Sequence, residues 1–168
     1  MRVYLPLTLT GLEELHRRGE TGSAPLSACA VPPALRGQGG PGDEEELEYA
    51  ALGLAAGMSL RLLVAEPEAV PRRVVLAADV AESDVAADSG RGPDAHAAGE
   101  VLVTRPVPLA RVAAVHVDAP EAEPDITAAA DALEAADRGD EDARFVVDRA
   151  TDHELLWYAV QEIGELLR

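Results

Sequence analysis

The hydrophobic positions divide the chain into short apolar runs, separated by segments in which apolar residues recur at helical spacing. Runs of strand length lie at residues 3–9, 26–31, 73–80, 101–103, 112–117 and 145–147. Helical spacing predicts helices at residues 10–18, 43–66, 120–136 and 152–167. Thr10 and Asp43 are N-cap candidates, and Gly19 and Pro67 are expected to end their helices.

The alternation of strands and helices predicts one α/β domain over residues 1–168. Its sheet should be four- to five-stranded and mostly parallel or mixed, with about four helices. The apolar run 74–78 is typical of a strand that is buried on both faces. An α+β arrangement with an antiparallel pair around residues 101–118 is the alternative. Residues 82–100 have almost no large apolar side chains, which predicts a mobile acidic loop inside the domain.

Two of the predicted helices have definite apolar stripes. The helix that begins at Asp43 carries Leu47, Ala51, Leu54, Met58 and Leu62 at helical spacing. The C-terminal helix carries Leu156, Val160, Ile163 and Leu167. We expect both stripes to face the core.

The composition indicates a thin core and an acidic surface. The chain has 48% hydrophobic residues, and counting them gives 32 Ala, 21 Leu and 17 Val against 2 Ile and 1 Phe. Alanine contributes little buried area, so a second chain could cover part of the fold. All 14 basic residues are arginine, and the net charge is −17. That charge argues against direct binding of nucleic acid or of anionic membranes.

Several locations and chemistries are excluded as far as a sequence allows. Cys29 is the single cysteine, so an intrachain disulfide cannot form. No apolar stretch reaches the roughly 20 residues of a membrane helix, and the first residues lack a signal-peptide core, so we expect a cytoplasmic location. The absence of lysine excludes a Walker lysine and Schiff-base chemistry. Neither a dinucleotide-binding glycine motif nor a nucleophile elbow is found.

Three apolar segments each end in an aspartate: Asp79, Asp118 and Asp148. In a parallel sheet such ends share one edge, where carboxylates could hold Mg²⁺. His116 shares a strand face with Asp118 and could act as a general base. The alternative is that each aspartate starts a turn or caps a helix.

The segment from His153 to Tyr158 is the second candidate site. It begins like the His-Glu-x-x-His helix of zinc proteases, but Trp157 occupies the second histidine position, so that assignment fails. Trp157 and Tyr158 must point in different directions, which predicts that one packs in the core and the other lines a groove or an interface. His153 precedes Trp157 by one helical turn and would extend such an interaction surface. Core packing of both aromatic residues is the alternative.

Four segments together resemble an uncharacterised actinobacterial family of small acidic proteins. They are residues 2–8 (RVYLPLT), 43–52 (DEEELEYAAL), 73–80 (RVVLAADV) and 152–158 (DHELLWY). The resemblance covers nearly the whole chain outside residues 82–100. It implies a single domain in a bacterial cytoplasm and brings no activity, cofactor or catalytic residue.

The sequence favours a non-enzymatic interaction or regulatory protein that needs no cofactor and binds a protein partner or a second copy of itself. One alternative is a metal-dependent hydrolase or transferase with Asp79, Asp118 and His116 in its site and Asp148 as a fourth member. Another is an acidic mimic of nucleic acid, which would need carboxylates arrayed on one face.

Overall fold

A computed structural model describes residues 1–32, 35, 41–87 and 99–168. The strands are β1 (Arg2–Leu7), β2 (Leu26–Cys29), β3 (Val74–Asp79), β4 (Val85–Ala87), β5 (Glu100–Val103), β6 (Val112–Val117) and β7 (Leu156–Tyr158). The α-helices in these ranges are α1 (Leu9–Arg18), α2 (Pro41–Ala65), α3 (Glu123–Asp137), α4 (Glu141–Thr151) and α5 (Ile163–Leu166).

The seven strands form one sheet in the order β4-β5-β2-β1-β3-β6-β7, and every pair is antiparallel. The predicted four- to five-stranded, mostly parallel or mixed sheet is therefore wrong. The antiparallel pair expected around residues 101–118 is also absent, because β5 pairs with β2 and β4, whereas β6 pairs with β3 and β7.

Helices cover both faces of the sheet. On the first face, side chains of α1 and α5 pack on alternate residues of β1 and β3; the fully buried members include Leu12, Leu15, Ile163, Val3, Val74 and Leu76. On the second face, small residues of α2 pack on Tyr4, Val75 and Ala77. Helices α3 and α4 form a further layer against α2. Because both faces are covered, the continuous apolar run of β3 is buried throughout, as its composition predicts.

Helix α1 is defined by the capping residues at its two ends. The Thr8 hydroxyl accepts a hydrogen bond from the backbone N–H of Gly11 at 3.2 Å, so the N-cap is Thr8 and not Thr10. Gly19 ends the helix with φ of 79°, a left-handed conformation that favours glycine, as the sequence predicts.

The stripe that α2 turns toward the sheet shares Ala51 with the predicted stripe and otherwise differs from it. Ala51, Ala55 and Ser59 are buried, whereas Leu54 and Leu62 are exposed. The Ser59 hydroxyl donates to the carbonyl of Leu7 at 2.6 Å and accepts from the N–H of Val74 at 3.0 Å. Two strands and the helix are thereby joined through one small side chain. The close approach explains why small residues, and not the leucines, face the sheet.

The C-terminal third differs most from the prediction. Residues 145–147, expected as a strand, lie in α4, whose N-cap Asp140 accepts from the N–H of Ala143 at 3.0 Å. The expected helix over 152–167 is wrong, because Leu156–Tyr158 form β7. Pairing with β6 supplies backbone hydrogen bonds that outweigh the helical spacing of the apolar residues. Of the predicted stripe, Ile163 is buried and Leu156 is exposed.

The segment 82–100, expected as a mobile loop, has regular structure at its described ends. Residues 82–84 form a 3₁₀ turn, β4 follows, and β5 begins at Glu100. Residues 88–98 lie outside the described part of the chain.

Candidate functional site

Asp79 and Asp118 lie at opposite ends of two neighbouring strands, β3 and β6. Since β3 and β6 are antiparallel, Val74 at the start of β3 pairs with Val117 at the end of β6. Asp79 is five residues farther along β3, which at about 3.4 Å per residue is roughly 17 Å away. Two ligands of one Mg²⁺ must each lie within about 2.1 Å of the ion. These aspartates therefore cannot share a cation.

The other members of that predicted site are also separated from it. Asp148 lies on the exposed side of α4, not at a strand end. His116 is half-buried on β6, on the face toward α2. Among the described residues, no group of three or more His, Cys, Asp or Glu side chains is placed to hold a metal ion.

Asp79, at the end of β3, forms a surface ion pair with Arg2 at the start of β1. Arg2 donates from Nε to Oδ1 at 2.8 Å and from its terminal nitrogen to Oδ2 at 3.2 Å. This hydrogen bonding holds the pKa of Asp79 below its ordinary value. Both side chains are substantially exposed, so the pair contributes little to stability.

Asp118, in contrast, is fully buried and fully bonded. Arg73, which is 4% exposed, donates from its backbone N–H and Nε to Oδ2 and from Nη2 to Oδ1, each at 2.8 Å. Nη2 also donates to the carbonyl of His153 at 2.8 Å. The ion pair thus joins the start of β3, the end of β6 and the loop before β7.

His153 itself is held by a side-chain hydrogen bond to a carboxylate. Its Nε2 lies 2.7 Å from Oδ2 of Asp125 in the first turn of α3. The hydrogen bond from His153 lowers the pKa of Asp125. Both groups are about one-third exposed, and they lie beside the buried Arg73–Asp118 pair. The loop after α4 is therefore fixed at both its backbone and its side chain.

Strand β7 is one edge of the sheet, and it places Trp157 and Tyr158 on opposite faces. Tyr158 pairs with Val115 and packs against the first core cluster. Trp157 pairs with His116 on the α2 side and is 62% exposed. On the same side, Tyr49 of α2 is 63% exposed and donates from its hydroxyl to Oε1 of Glu154 at 3.2 Å. We call Tyr49, Glu154 and Trp157 the β7 surface.

Two neighbouring cavities follow α2 beside this surface. The smaller, about 260 Å³, is lined by residues that include Tyr49, Leu155 and His153. The larger, about 340 Å³, lies between α2, α3 and α4. Gly53, Arg73 and Thr151 line both cavities.

Sequence patterns did not single out Arg73 or Tyr49. A charged residue directly before an apolar strand is usually a solvated end, so Arg73 gave no signal of its own. Its role depends on the antiparallel register that places Asp118 beside it. Tyr49 lies among the acidic residues at the start of α2, and no sequence pattern around it indicates a binding role.

Helix α2 also bears on location. Residues 43–65 are long and apolar enough to cross a membrane, the single such helix in the described part of the chain, although no run of 20 apolar residues is visible in the sequence. However, α2 packs along the sheet through Ala51, Ala55 and Ala56 and caps the second core cluster. In the structure α2 therefore packs on the sheet, and 33% of its most apolar stretch is buried inside the fold.

Comparison with known proteins places the chain in a family. Residues 1–167 match the model of the Family of unknown function (DUF6912), so the chain belongs to that family. The match confirms the resemblance to an uncharacterised family that the sequence carries. No curated protein and no solved structure matches the chain.

Proposed function

We propose that this member of DUF6912 is a non-enzymatic interaction protein that binds a positively charged segment of another protein along the β7 surface. The observation that carries the proposal is the position of Trp157, a large aromatic side chain that is 62% exposed on the last strand of the described sheet. Exposed Trp and Tyr side chains are the residues most enriched at the energetic centres of protein interfaces.

The backbone of β7 supports an extended partner. Strand order places β7 last, and no described strand pairs with its outer side. An edge strand offers N–H and C=O groups to an added strand, and alternate side chains of that strand then contact each face. Trp157 would contact one such side chain on the α2 side of the sheet.

The charge of the chain favours a basic partner. The net charge is −17, and Glu154 lies within hydrogen-bond distance of Tyr49 in the β7 surface itself. The exposed Glu44 and Glu45 lie one turn or more before Tyr49 on α2. Two copies of this chain would repel each other, whereas a segment rich in Lys and Arg would be attracted to this surface and correctly oriented.

We place this function in the cytoplasm. Cys29 is the single cysteine, it is buried, and its sulfur lies 3.3 Å from that of Met58. A single protected thiol without disulfides suits a reducing compartment.

Trp157 is the single tryptophan of the chain, so its fluorescence reports on the β7 surface. We would titrate the protein with an eight-residue peptide of alternating Arg and Val, and with the matched Glu and Val peptide. A blue shift of the emission with the Arg peptide alone is expected, since the partner strand would shield the indole from water. Isothermal titration calorimetry would then show the affinity reduced about tenfold or more in Tyr49→Ala and Trp157→Ala.

Phe145→Ala is the matched control, because Phe145 is 67% exposed on α4 and lies outside the β7 surface. Its affinity should equal that of the wild type. An equal response to the two peptides, or an equal loss in Phe145→Ala, would refute the proposed surface. A blue shift that appears on raising the protein concentration without peptide would show self-association instead.

A further inference from the structure

The larger cavity beside α2 is a space that the chain leaves open. It measures about 340 Å³, and its apolar wall consists of Leu54, Ala56, Met58, Leu60, Leu133, Val147 and Ala150. This volume is at the lower end of the range of small-molecule pockets, roughly 300–1,000 Å³. A small ligand would fit, and a folded protein partner would not.

Two glycines keep the α2 side of this space empty. A Cβ atom built on Gly53 or on Gly57 meets nothing within 4 Å. Neither glycine has a positive φ angle, so the helix backbone does not require glycine at either position. Glycine weakens a helix relative to alanine, and these two positions stand one turn apart on the cavity wall. The helix backbone is thereby accessible to a bound molecule.

The guanidinium of Arg73 is a second feature of this cavity that bears on a ligand. Three of the five N–H groups of its guanidinium are satisfied, two by Asp118 and one by the carbonyl of His153. The two N–H groups of Nη1 have no acceptor among the described residues. Arg73 is 4% exposed and lines both cavities, so a molecule bound in either cavity lies beside this side chain. These N–H groups can donate to an acceptor oxygen of a molecule in the cavity.

The charges around Arg73 determine what that acceptor is. Asp118 already neutralises the guanidinium, Arg61 on the wall of the larger cavity is paired with Asp137, and Glu100 also lines that cavity. A second anion would therefore meet no net positive charge. An uncharged oxygen, such as that of an amide or a ketone, can accept from Nη1 without the cost of burying another charge.

We propose that the cavity between α2, α3 and α4 binds a small uncharged molecule with an apolar body and a carbonyl oxygen. The oxygen accepts from Nη1 of Arg73, and the apolar body lies over Gly53 and Gly57 against Leu133 and Val147. This site is separate from the β7 surface and does not depend on the proposed function.

Three probes with the same six-carbon chain test the ligand class: hexanamide, hexanoate and hexylamine. The protein is labelled with ¹⁵N-glycine, and the amide signals of Gly53 and Gly57 are followed, with Gly19 and Gly139 as internal references. Hexanamide should shift the two cavity signals saturably and bind about tenfold or more tightly than hexanoate or hexylamine. Preferential binding of the anion or the amine, or no shift at Gly53 and Gly57, would overturn the proposal.

Substitution of Arg73 would leave Asp118 buried without a partner and could unfold the protein. The matched pair Gly57→Leu and Ala50→Leu avoids this, because both positions are exposed on α2 and Ala50 lies outside both cavities. Gly57→Leu fills the cavity and should abolish hexanamide binding, whereas Ala50→Leu should preserve it. Unchanged binding in Gly57→Leu would refute the site. Trp157 emission separates the two proposals, since it follows the peptide and should not respond to hexanamide.

Discussion

Arg73 and Asp118 form three hydrogen bonds of 2.8 Å, and one of these comes from the backbone N–H of Arg73. The carboxylate therefore holds both the side chain and the main chain of its partner. Asp118 also donates its own N–H to the carbonyl of Arg73 at 3.0 Å. This reciprocal arrangement fixes the register of β3 against β6 at the end where α2 and the loop after α4 meet them.

Removal of one partner of this ion pair should destabilise the fold strongly. Asp118→Ala leaves a buried guanidinium unpaired, and we expect the free energy of unfolding to fall by about 3–5 kcal/mol. Asp79→Ala removes an exposed carboxylate of the same type and should cost less than about 1 kcal/mol. Urea denaturation of both variants measures the difference. Equal losses of unfolding free energy in the two variants would show that burial does not make the Arg73–Asp118 pair more important for stability than the exposed pair.

The double variant Arg73→Met/Asp118→Leu tests the same pair without leaving a buried charge. Replacement of both partners of a buried ion pair by apolar residues of similar volume is often neutral, or stabilising by about 1–4 kcal/mol, relative to the intact pair. We expect the double variant to be more stable than Asp118→Ala. A double variant less stable than Asp118→Ala would show that the loop carbonyl of His153 depends on the guanidinium as well.

Stability should fall in mildly acidic solution because of His116. Burial, and to a lesser extent the charge of Arg2, lowers the pKa of His116 from its ordinary value of 6.5. The unfolded chain then binds this proton more readily than the folded chain. The stability contributed by neutral His116 is thus present above about pH 6.5 and is lost as the pH falls through the lower folded-state pKa.

Denaturation between about pH 7.5 and pH 5, a range that spans the ordinary histidine pKa and extends below it, measures this effect. The loss of stability on acidification should be smaller in His116→Gln than in the wild type. An NMR titration of the His116 ring in the folded protein should show the lowered pKa directly. An identical pH profile in the variant would assign the loss to other groups.

Substitution by alanine should change the stability of the protein in opposite directions at Gly19 and Gly57, although the space around the two glycines is similar. A Cβ meets nothing within 4 Å at either Gly19 or Gly57, but Gly19 has φ of 79° and Gly57 lies within α2. Gly19→Ala should destabilise by about 1 kcal/mol or more, because alanine is strained in that conformation. Gly57→Ala should stabilise by about 0.5–1 kcal/mol through helix propensity. Thermal unfolding distinguishes them, and a destabilised Gly57→Ala would contradict an open cavity wall.

The two adjacent aromatic residues of β7 should differ in their contribution to folding. Trp157 is largely exposed, and Trp157→Ala should change the unfolding free energy by less than about 1 kcal/mol. Tyr158 packs against the core, and Tyr158→Ala should cost about 2 kcal/mol or more. Circular dichroism during urea denaturation suits both variants. A Trp157→Ala protein that fails to fold would make the indole a core residue and remove the β7 surface.

The positions of most strands could be predicted from sequence, but their direction could not. The run 74–78 correctly indicates burial on both faces. That property results from helices on both sides of the sheet, which an antiparallel sheet can have as well. The predicted metal site depended on parallel strands. It fails because β3 and β6 are antiparallel, which places Asp79 and Asp118 at opposite ends of the two strands.

The end of the chain shows a conflict between local and long-range preferences. Leu156, Val160 and Ile163 stand at helical spacing, yet Leu156 lies in β7 because β6 offers it a partner. That partner is about forty residues away in sequence, so no local window contains it. Trp157 was singled out on a predicted helix, whereas its exposure arises from its place on an edge strand.

The strand order also bears on how this chain folds as it is synthesised. β1 occupies the middle of the sheet, and its two neighbours, β2 and β3, come from residues 26–29 and 74–79. β1 precedes both neighbours in sequence, so its two sides are paired only once β2 and β3 have been synthesised, and β7 can join the sheet only after residues 156–158 have followed β6. Until then β6 is the exposed edge, so nascent chains are most open to mispairing there.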